Sequence, residues 1–192
     1  MNTKGNNRSV MRTKALFKKG LSDLMLQKPP GEITVRELAD YVNLNRGTFY
    51  LHYKGIYDLL EQMEDELITD FQTILMQHRA DDMQGMPLSM LYDIYRLLAQ
   101  NADFCRALLS DKGWLPFFEK IKVLVKEKCF EDWSHLFPHR DSASYEAYYS
   151  FMLSGTLGLL EYWLLSGMEQ PVEEIASQTE RFILHGMDSL SG

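Results

Sequence analysis

From Val10 to Ile183 the apolar residues of this chain recur every three or four positions, and almost nowhere do they alternate. A period near 3.6 puts them on one side of a helix, whereas a half-buried strand requires a period of two. The chain is therefore expected to be all-α, and no internal repeat of fixed length cuts across that reading. Val10, Phe17, Leu21 and Leu24 share one face of a first amphipathic helix, Ser9 to Gln27, which Lys28-Pro29-Pro30-Gly31 ends. Thr34-Val35-Arg36-Glu37 then fits a capping box: the Thr hydroxyl accepts from the amide three residues on, and the Glu carboxylate reaches back. A short helix, Val35 to Tyr41, follows. Val42-Asn43-Leu44-Asn45 breaks the period, and Asn45 suits the N-cap of a second short helix, Arg46 to about His52.

Beyond Lys54-Gly55 the apolar stripe Leu59, Leu60, Met63, Leu67, Phe71, Ile74 and Leu75 predicts a long helix, and Asp81 to Pro87 breaks it. The pattern resumes with Leu88, Leu91, Tyr92, Tyr95, Leu98, Ala99 and Ala102 on one face, then a shorter segment, Phe104 to Leu109. Trp114, Phe117, Phe118, Ile121, Leu124 and Val125 mark another helix, and Ser134 to Ser144, with Pro138, reads as a loop. Tyr145 to Ser166 is apolar nearly all round, whereas Val172, Ile175, Ala176, Thr179, Phe182 and Ile183 form a clean stripe after Pro171. With 192 residues, the organisation expected is a small head, 1–55, joined by the long helix to a larger helical body, 56–192.

Hydrophobic residues make up 45% of the chain and charged residues 24%, with 6 Pro and 12 Gly, so disordered and collagenous classes are excluded. The most apolar stretch, Ala147 to Leu160, falls short of the roughly 18 apolar residues that a membrane span needs. Met1 to Val10 lacks the apolar centre of a signal peptide, so the expected location is the cytoplasm with no membrane partner. Cys105 and Cys129 make neither a disulfide framework nor a CxxC metal clip and read as core.

The net charge of −7 argues against nucleic acid only until it is divided along the chain. Residues 1–54 hold ten Lys and Arg against four Asp and Glu; the other 138 hold ten against twenty-three. A head of +6 on a body of −13 confines an anion-binding contact to one end. A helix-turn-helix needs a supporting helix, a tight turn and a second helix whose first residues can reach bases and phosphates. Arg46-Gly47-Thr48-Phe49-Tyr50-Leu51-His52-Tyr53-Lys54 supplies that second helix. Gly47 permits close approach to the duplex and Phe49 can pack inward, while Arg46, Thr48, Tyr50, His52 and Lys54 offer donors. An arginine can bond two acceptors of guanine at once, whereas hydroxyls and ammonium groups mainly hold register on the backbone.

Ile33-Thr34-Val35-Arg36-Glu37-Leu38-Ala39, the turn, and Arg46-Gly47-Thr48-Phe49-Tyr50 followed by His52-Tyr53-Lys54 resemble the DNA-binding domain of TetR-family transcriptional regulators. The resemblance covers roughly residues 9 to 60. It implies an all-helical homodimer with a three-helix DNA-binding head and a helical body that binds an effector and dimerises. By position, Arg36 and Arg46 resemble the family's base readers; Thr48, Tyr50, Tyr53 and Lys54 resemble its phosphate-contacting group. Thr34 and Gly47 complete the DNA-binding set expected here. Two positions depart from the family pattern: Gly55 replaces a Ser-like cap, and Ile56 stands where a second Lys is usual. Gly is an acceptable cap and the free amides there can still hold a phosphate, but Ile56 cannot supply an ion pair. The basic first helix, through Arg12 or Lys14, is expected to matter more in consequence. Phe49 to Leu60, and Tyr149 to Met168 with Pro171-Val172-Glu173-Glu174-Ile175-Ala176, resemble the branch around dihydroxyacetone-kinase regulators, which implies that activation is open to such a chain as well as repression.

In the body, Trp114, Phe117, Phe118, Tyr148, Tyr149, Met152, Tyr162 and Trp163 can line an apolar effector cavity or serve as plain core, and Glu161 is the nearby polar group. A helix apolar on all sides must be covered on all sides. Leu159, Trp163, Ile175, Phe182 and Ile183 on the last two helices are therefore the expected dimer interface. His135 and His139 stand four apart, but Pro138 lies between them and no further ligand completes a metal site, so a surface loop is expected. No GxSxG, HExxH or GxGxxG occurs, so neither a cofactor nor an enzyme activity is expected. The partners expected are a double-stranded DNA operator, a second copy and a small-molecule effector. The competing class is a helical carrier or interaction module whose basic head meets an acidic partner.

Overall fold

Capping side chains, proline and left-handed turns decide where the helices begin and end. The computed structural model describes residues 3–78, 88–110, 114–136 and 142–188. Among them the helices follow as α1 (Thr3–Met25), α2 (Val35–Tyr41), α3 (Arg46–Tyr50), α4 (Ile56–Gln77), α5 (Leu88–Gln100), α6 (Ala102–Ser110), α7 (Trp114–Leu136), α8 (Ser142–Leu165) and α9 (Val172–Asp188). A single 3-10 turn, Pro30–Glu32, separates α1 from α2, and no strand forms among the described residues. The all-α fold is the one expected.

Several boundaries differ from the periodicity. Helix α1 begins at Thr3 rather than Ser9 and stops at Met25, and α3 ends at Tyr50. The segment read as a loop, Ser134 to Ser144, is helical at both ends: α7 runs to Leu136 and α8 starts at Ser142. Polar composition lowers the apolar signal of a helix end without preventing the backbone from continuing its hydrogen bonds. His135 thus belongs to α7 rather than to a loop; His139 lies outside the described residues, as does the expected break at Asp81 to Pro87.

The chain divides into two compact units, Met1–Leu67 with Asp103–Trp114, and Ile68–Ala102 with Leu115–Gly192. In the first, Phe17, Leu21, Leu38, Ala39, Phe49 and Leu59 are completely buried. Phe17 meets Phe49 edge to face at 5.2 Å, an arrangement favoured by the ring quadrupoles. Helices α1 and α2 cross at Gly20, where a Cβ would lie 2.3 Å from Cγ1 of Val42. The turn between α2 and α3 is made by Asn43 at φ 53°, a left-handed conformation Asn tolerates, and Leu44 N–H returns to the Ala39 carbonyl at 2.9 Å. Phe104, Cys105, Ala107 and Leu108 of α6 are buried, and burial pushes the Cys105 thiol up to about 12.

In the second unit α5 packs most extensively on α9. The Thr179 hydroxyl donates to the Ile175 carbonyl at 2.8 Å, so the Tyr95 hydroxyl, 2.7 Å away, is the donor to Thr179. Trp163 stands edge to face on Tyr95 at 5.2 Å and its indole N–H donates to the Gln170 carbonyl at 2.9 Å. Tyr148 donates to the Ile183 carbonyl at 2.9 Å, and Tyr149 to the Lys122 carbonyl at 3.0 Å. Gly167 and Met168, both at positive φ, end α8, with Met168 N–H returning to the Trp163 carbonyl at 2.9 Å. No described helix is long and apolar enough to cross a membrane.

Candidate nucleic-acid interface and the groove of the body

Helix α3 is only five residues long and owes its start to Asn45, whose side-chain oxygen accepts from Gly47 N–H at 2.7 Å. A Cβ at Gly47 would lie 3.3 Å from that same oxygen, so a larger residue presses on the cap as well as on any duplex. Phe49 is the buried residue of α3 and fixes its rotation on the head. Arg46 and Tyr50 are left exposed on the helix, Thr48 is half-buried, and Lys54 is exposed just beyond it with His52 half-buried. The helix is capped without these side chains, while Tyr50 meets Phe49 edge to face at 5.6 Å and His52 meets Tyr53 at 6.1 Å.

On α2, Thr34 Oγ1 accepts from Glu37 N–H at 3.1 Å. Lys28, bonded to Glu37 at 2.7 Å, holds its carboxyl below the usual carboxylate range, and the Thr34 backbone adds to this. The Thr34 half of the expected capping box is thus present, while the Glu37 carboxylate is taken by Lys28. Arg36 is exposed and stands 3.8 Å from Asp40 one turn on. The start of α4 is held differently from a serine cap: Gly55 accepts through its carbonyl from Leu59 N–H at 3.1 Å, and Asp58 accepts from Lys54 N–H at 2.7 Å. That backbone bond holds the Asp58 carboxyl below its ordinary value, with Gln62 assisting. Ile56 is buried, so at this position the chain gains core and presents no cation.

Tyr53 departs from the phosphate-contacting role expected of it. It is 2% exposed, its ring 5.3 Å from Phe49 and 6.4 Å from Phe17, and its hydroxyl has no hydrogen-bond partner among the described residues. Burial pushes the phenol up to about 12, and the charges of Glu66 and Asp58 add to the effect. The side chain faces the interior because the aromatic set Phe17 and Phe49 encloses it.

In the second unit, α8 and α9 form an open apolar groove of 580 Å³. Tyr148, Met152 and Tyr162, expected around an effector, line it together with Leu159, Phe182 and Ile183, expected at a dimer interface. Phe151, Gly155 and Gly158 line it too, and were not singled out from the sequence because α8 is apolar all round. A Cβ at either glycine would touch nothing within 4 Å, so both open onto the groove. Trp163 and Ile175 lie elsewhere: both are buried in the unit's own interior and have no surface to offer a partner. Phe117 is buried and Phe118 half-buried on α7, the latter under Lys122 at 5.1 Å, outside the groove. Glu161 is exposed. The side chains of Trp114 and Cys129 lie outside those described.

Residues 21–63 match the family model of the bacterial regulatory proteins of the tetR family, and residues 86–185 match that of a transcriptional regulator C-terminal region. The chain belongs to the TetR family. It is a DNA-binding transcriptional regulator with a ligand-binding C-terminal domain, as the family is. A transcriptional regulator of the TerR/AcrR family from Aquifex aeolicus VF5 shares its fold with a TM-score of 0.64 at 17% identity, covering 89% of this chain and 97% of the other. The dihydroxyacetone kinase operon activator DhaS follows at 0.62 and 18%, covering 90% and 94%. A TetR regulator from Streptococcus agalactiae 2603V gives 0.58 and 21%, covering 93% and 97%. No curated protein matches the chain. In this TetR-family chain the head therefore departs from the expected interface at Tyr53, which turns inward.

Proposed function

We propose that the protein is a ligand-responsive repressor that binds a double-stranded DNA operator as a homodimer, with residues 1–55 as the DNA-binding domain and 56–192 as the effector-binding and dimerisation domain. The observation that carries this reading is α3, whose cap and aromatic packing are complete while Arg46, Tyr50 and Lys54 remain on the surface. Arg46 and Arg36 read bases, and Thr34, Gly47, Thr48, Tyr50, His52 and Lys54 hold the backbone or the approach to it. No catalytic role is proposed, and an operator-binding protein of this kind works in the cytoplasm.

The test is retention of genomic fragments by the protein at rising salt, followed by the variants Arg46→Ala and Lys54→Ala. Arg46→Ala should cost about 1 to 3 kcal/mol on the specific site and relax preference at one base pair per half-site. Lys54→Ala should weaken all sequences alike. Wild type that shows no preference for any fragment removes the regulator reading, and equal losses of Arg46→Ala on operator and scrambled duplex remove the base-reading role.

For the dimer, the support is the groove of α8 and α9, with Phe151, Tyr162 and Phe182 more than half exposed beside two glycines that admit a close neighbour. Phe151→Asp with Phe182→Asp should give monomers in sedimentation, and unchanged dimers would move the interface elsewhere. A small, partly apolar effector is proposed for the body, coupled to DNA affinity through a preference for one arrangement of the two heads. One similar structure is named an operon activator, so the sign is measured directly: loss of the protein should raise transcription from its operator, and a fall would make it an activator.

A further inference from the structure

The described basic side chains of the head fall into two groups. Lys18 pairs with Glu66, Lys19 with Asp23 and Asp103, Lys28 with Glu37, and Arg36 with Asp40. Arg8, Arg12, Lys14, Arg46 and Lys54 form no ion pair among the described residues, although the charge of Lys54 reaches Asp58, which accepts from the Lys54 N–H. Of these five, Lys14 is placed by a contact of a different kind. Its Nζ lies 5.8 Å from the centroid of the Tyr53 ring, within the range at which the ring quadrupole attracts a cation. That ring is itself gripped by Phe17 and Phe49, and it belongs to the residue next to Lys54. Glu66, whose charge reaches Tyr53, is taken by Lys18.

A carboxylate that positions a lysine also cancels its charge. An aromatic face positions it and leaves the charge whole, so the ammonium is held ready for an anion arriving from outside. Lys14 thus lies over the ring of the residue that precedes the exposed Lys54 in the chain, three residues past the end of α3, and neither lysine side chain forms an ion pair among the described residues. We propose that Lys14 is a further phosphate-contacting residue of the DNA interface and that Tyr53 is its positioning residue, the ring seating the ammonium without touching the duplex. The proposal rests on the reading of α3 as the recognition helix, and its occupant is the DNA backbone flanking the half-site, chosen by charge.

The experiment measures binding of Lys14→Gln, Lys14→Arg, Tyr53→Phe and Tyr53→Leu to the fragment retained by wild type and to a scrambled duplex, over a salt series. Thermal melts check each fold. Lys14→Gln should weaken both duplexes by the same factor and lower the salt slope by about one per head. Lys14→Arg should keep the slope, as should Tyr53→Phe, which keeps the ring. Tyr53→Leu should lower the slope in the wild-type background and leave it unmoved in Lys14→Gln, because the ring acts only through that lysine. A Tyr53 that merely fills the core would shift the melt of Tyr53→Leu and not its slope, which overturns the positioning role. An unchanged slope for Lys14→Gln, while wild type still prefers its own fragment, overturns the contact and spares the regulator reading. Loss of binding by Lys14→Gln to vesicles of phosphatidylglycerol, with DNA binding intact, assigns the face to a membrane surface and overturns it too. Wild type without salt-dependent DNA binding fails at the earlier step.

Discussion

Replacing Tyr53 by Phe removes one oxygen and keeps everything the ring does. In the wild type that oxygen is buried beside Phe17 and Phe49 without a hydrogen-bond partner among the described residues. Leaving a buried polar group unsatisfied costs about 1 to 3 kcal/mol. The hydroxyl lies at the edge of a small head rather than deep in a large core, so the lower end of that range applies. Tyr53→Phe should therefore stabilise the protein by about 1 kcal/mol, read as a higher denaturation midpoint at unchanged m-value and a rise of about 2 to 4 °C in the melt. The pH dependence has a definite sign. Folded, Tyr53 keeps its proton to about 12 against an ordinary 10.0, so between those values the folded state binds more protons than the unfolded one. Stability must fall as the pH rises through that window, and Tyr53→Phe should remove this part of the fall. Guanidine titrations of both proteins at neutral pH and above pH 10 measure both effects. A destabilised Tyr53→Phe would mean that the hydroxyl has a partner the packing argument denies it. A loss of DNA affinity with a lower salt slope would restore it to the phosphate-contacting group.

Other substitutions probe the local devices of the head. Gly20→Ala should destabilise by about 1 to 3 kcal/mol in the same titration, because its Cβ would meet Val42 Cγ1 at 2.3 Å; an unchanged midpoint would show that α1 and α2 separate freely. Thr34→Ala should cost about 1 kcal/mol by removing the oxygen that accepts from Glu37 N–H, and a loss below a few tenths would show that the 3-10 turn and Lys28 hold the start of α2 alone. Asn43→Val should destabilise and Asn43→Gly should not, since only the former strains a φ of 53°.

The head was legible because its signals are local. Thr34 and Asn45 act on amides two or three residues away, so their caps were readable from spacing and occur as read. Tyr53 was not legible in the same way. Its neighbours in sequence, His52 and Lys54, belong to a polar run, and only the meeting of α1 with α3, through Phe17 and Phe49, turns it inward. The ends of α7 and α8 were hidden by polar composition, which weakens the apolar stripe without breaking a helix. In α8 the opposite excess hid the answer. With apolar residues on every side, Trp163 and Leu164 went to the interior while Phe151, Tyr162 and Leu165 stayed exposed, and that choice depends on α5 and α9 rather than on α8 itself. Leu159 and Phe182 share a groove with Tyr148 and Met152 for the same reason: spacing says which residues share a helix face, and packing says which face is left open.

Charge shows the same division between counting and arrangement. The head has ten Lys and Arg, and a count alone would assign all of them to an anionic partner. Four are already committed to Glu66, Asp23, Asp103, Glu37 and Asp40, so a phosphate that recruited one of these would first have to compete with a carboxylate in place. Of the other six, Arg8, Arg12, Lys14, Arg46 and Lys54 are described side chains with no ion pair to break, and the side chain of Lys4 lies outside those described. In the proposed homodimer two heads present ten such charges, and at about 0.9 per neutralised phosphate these five side chains per head contribute up to about 9 to the salt slope for DNA. If Arg46 reads a base, two of the ten leave the count and this contribution drops to about 7. The difference between the slopes on operator and on scrambled duplex is then itself a measure of what Arg46 does. On random sequence nothing fixes the guanidinium to a base edge, so it is free to join the backbone set and steepen the dependence, whereas on the operator it is withdrawn from it.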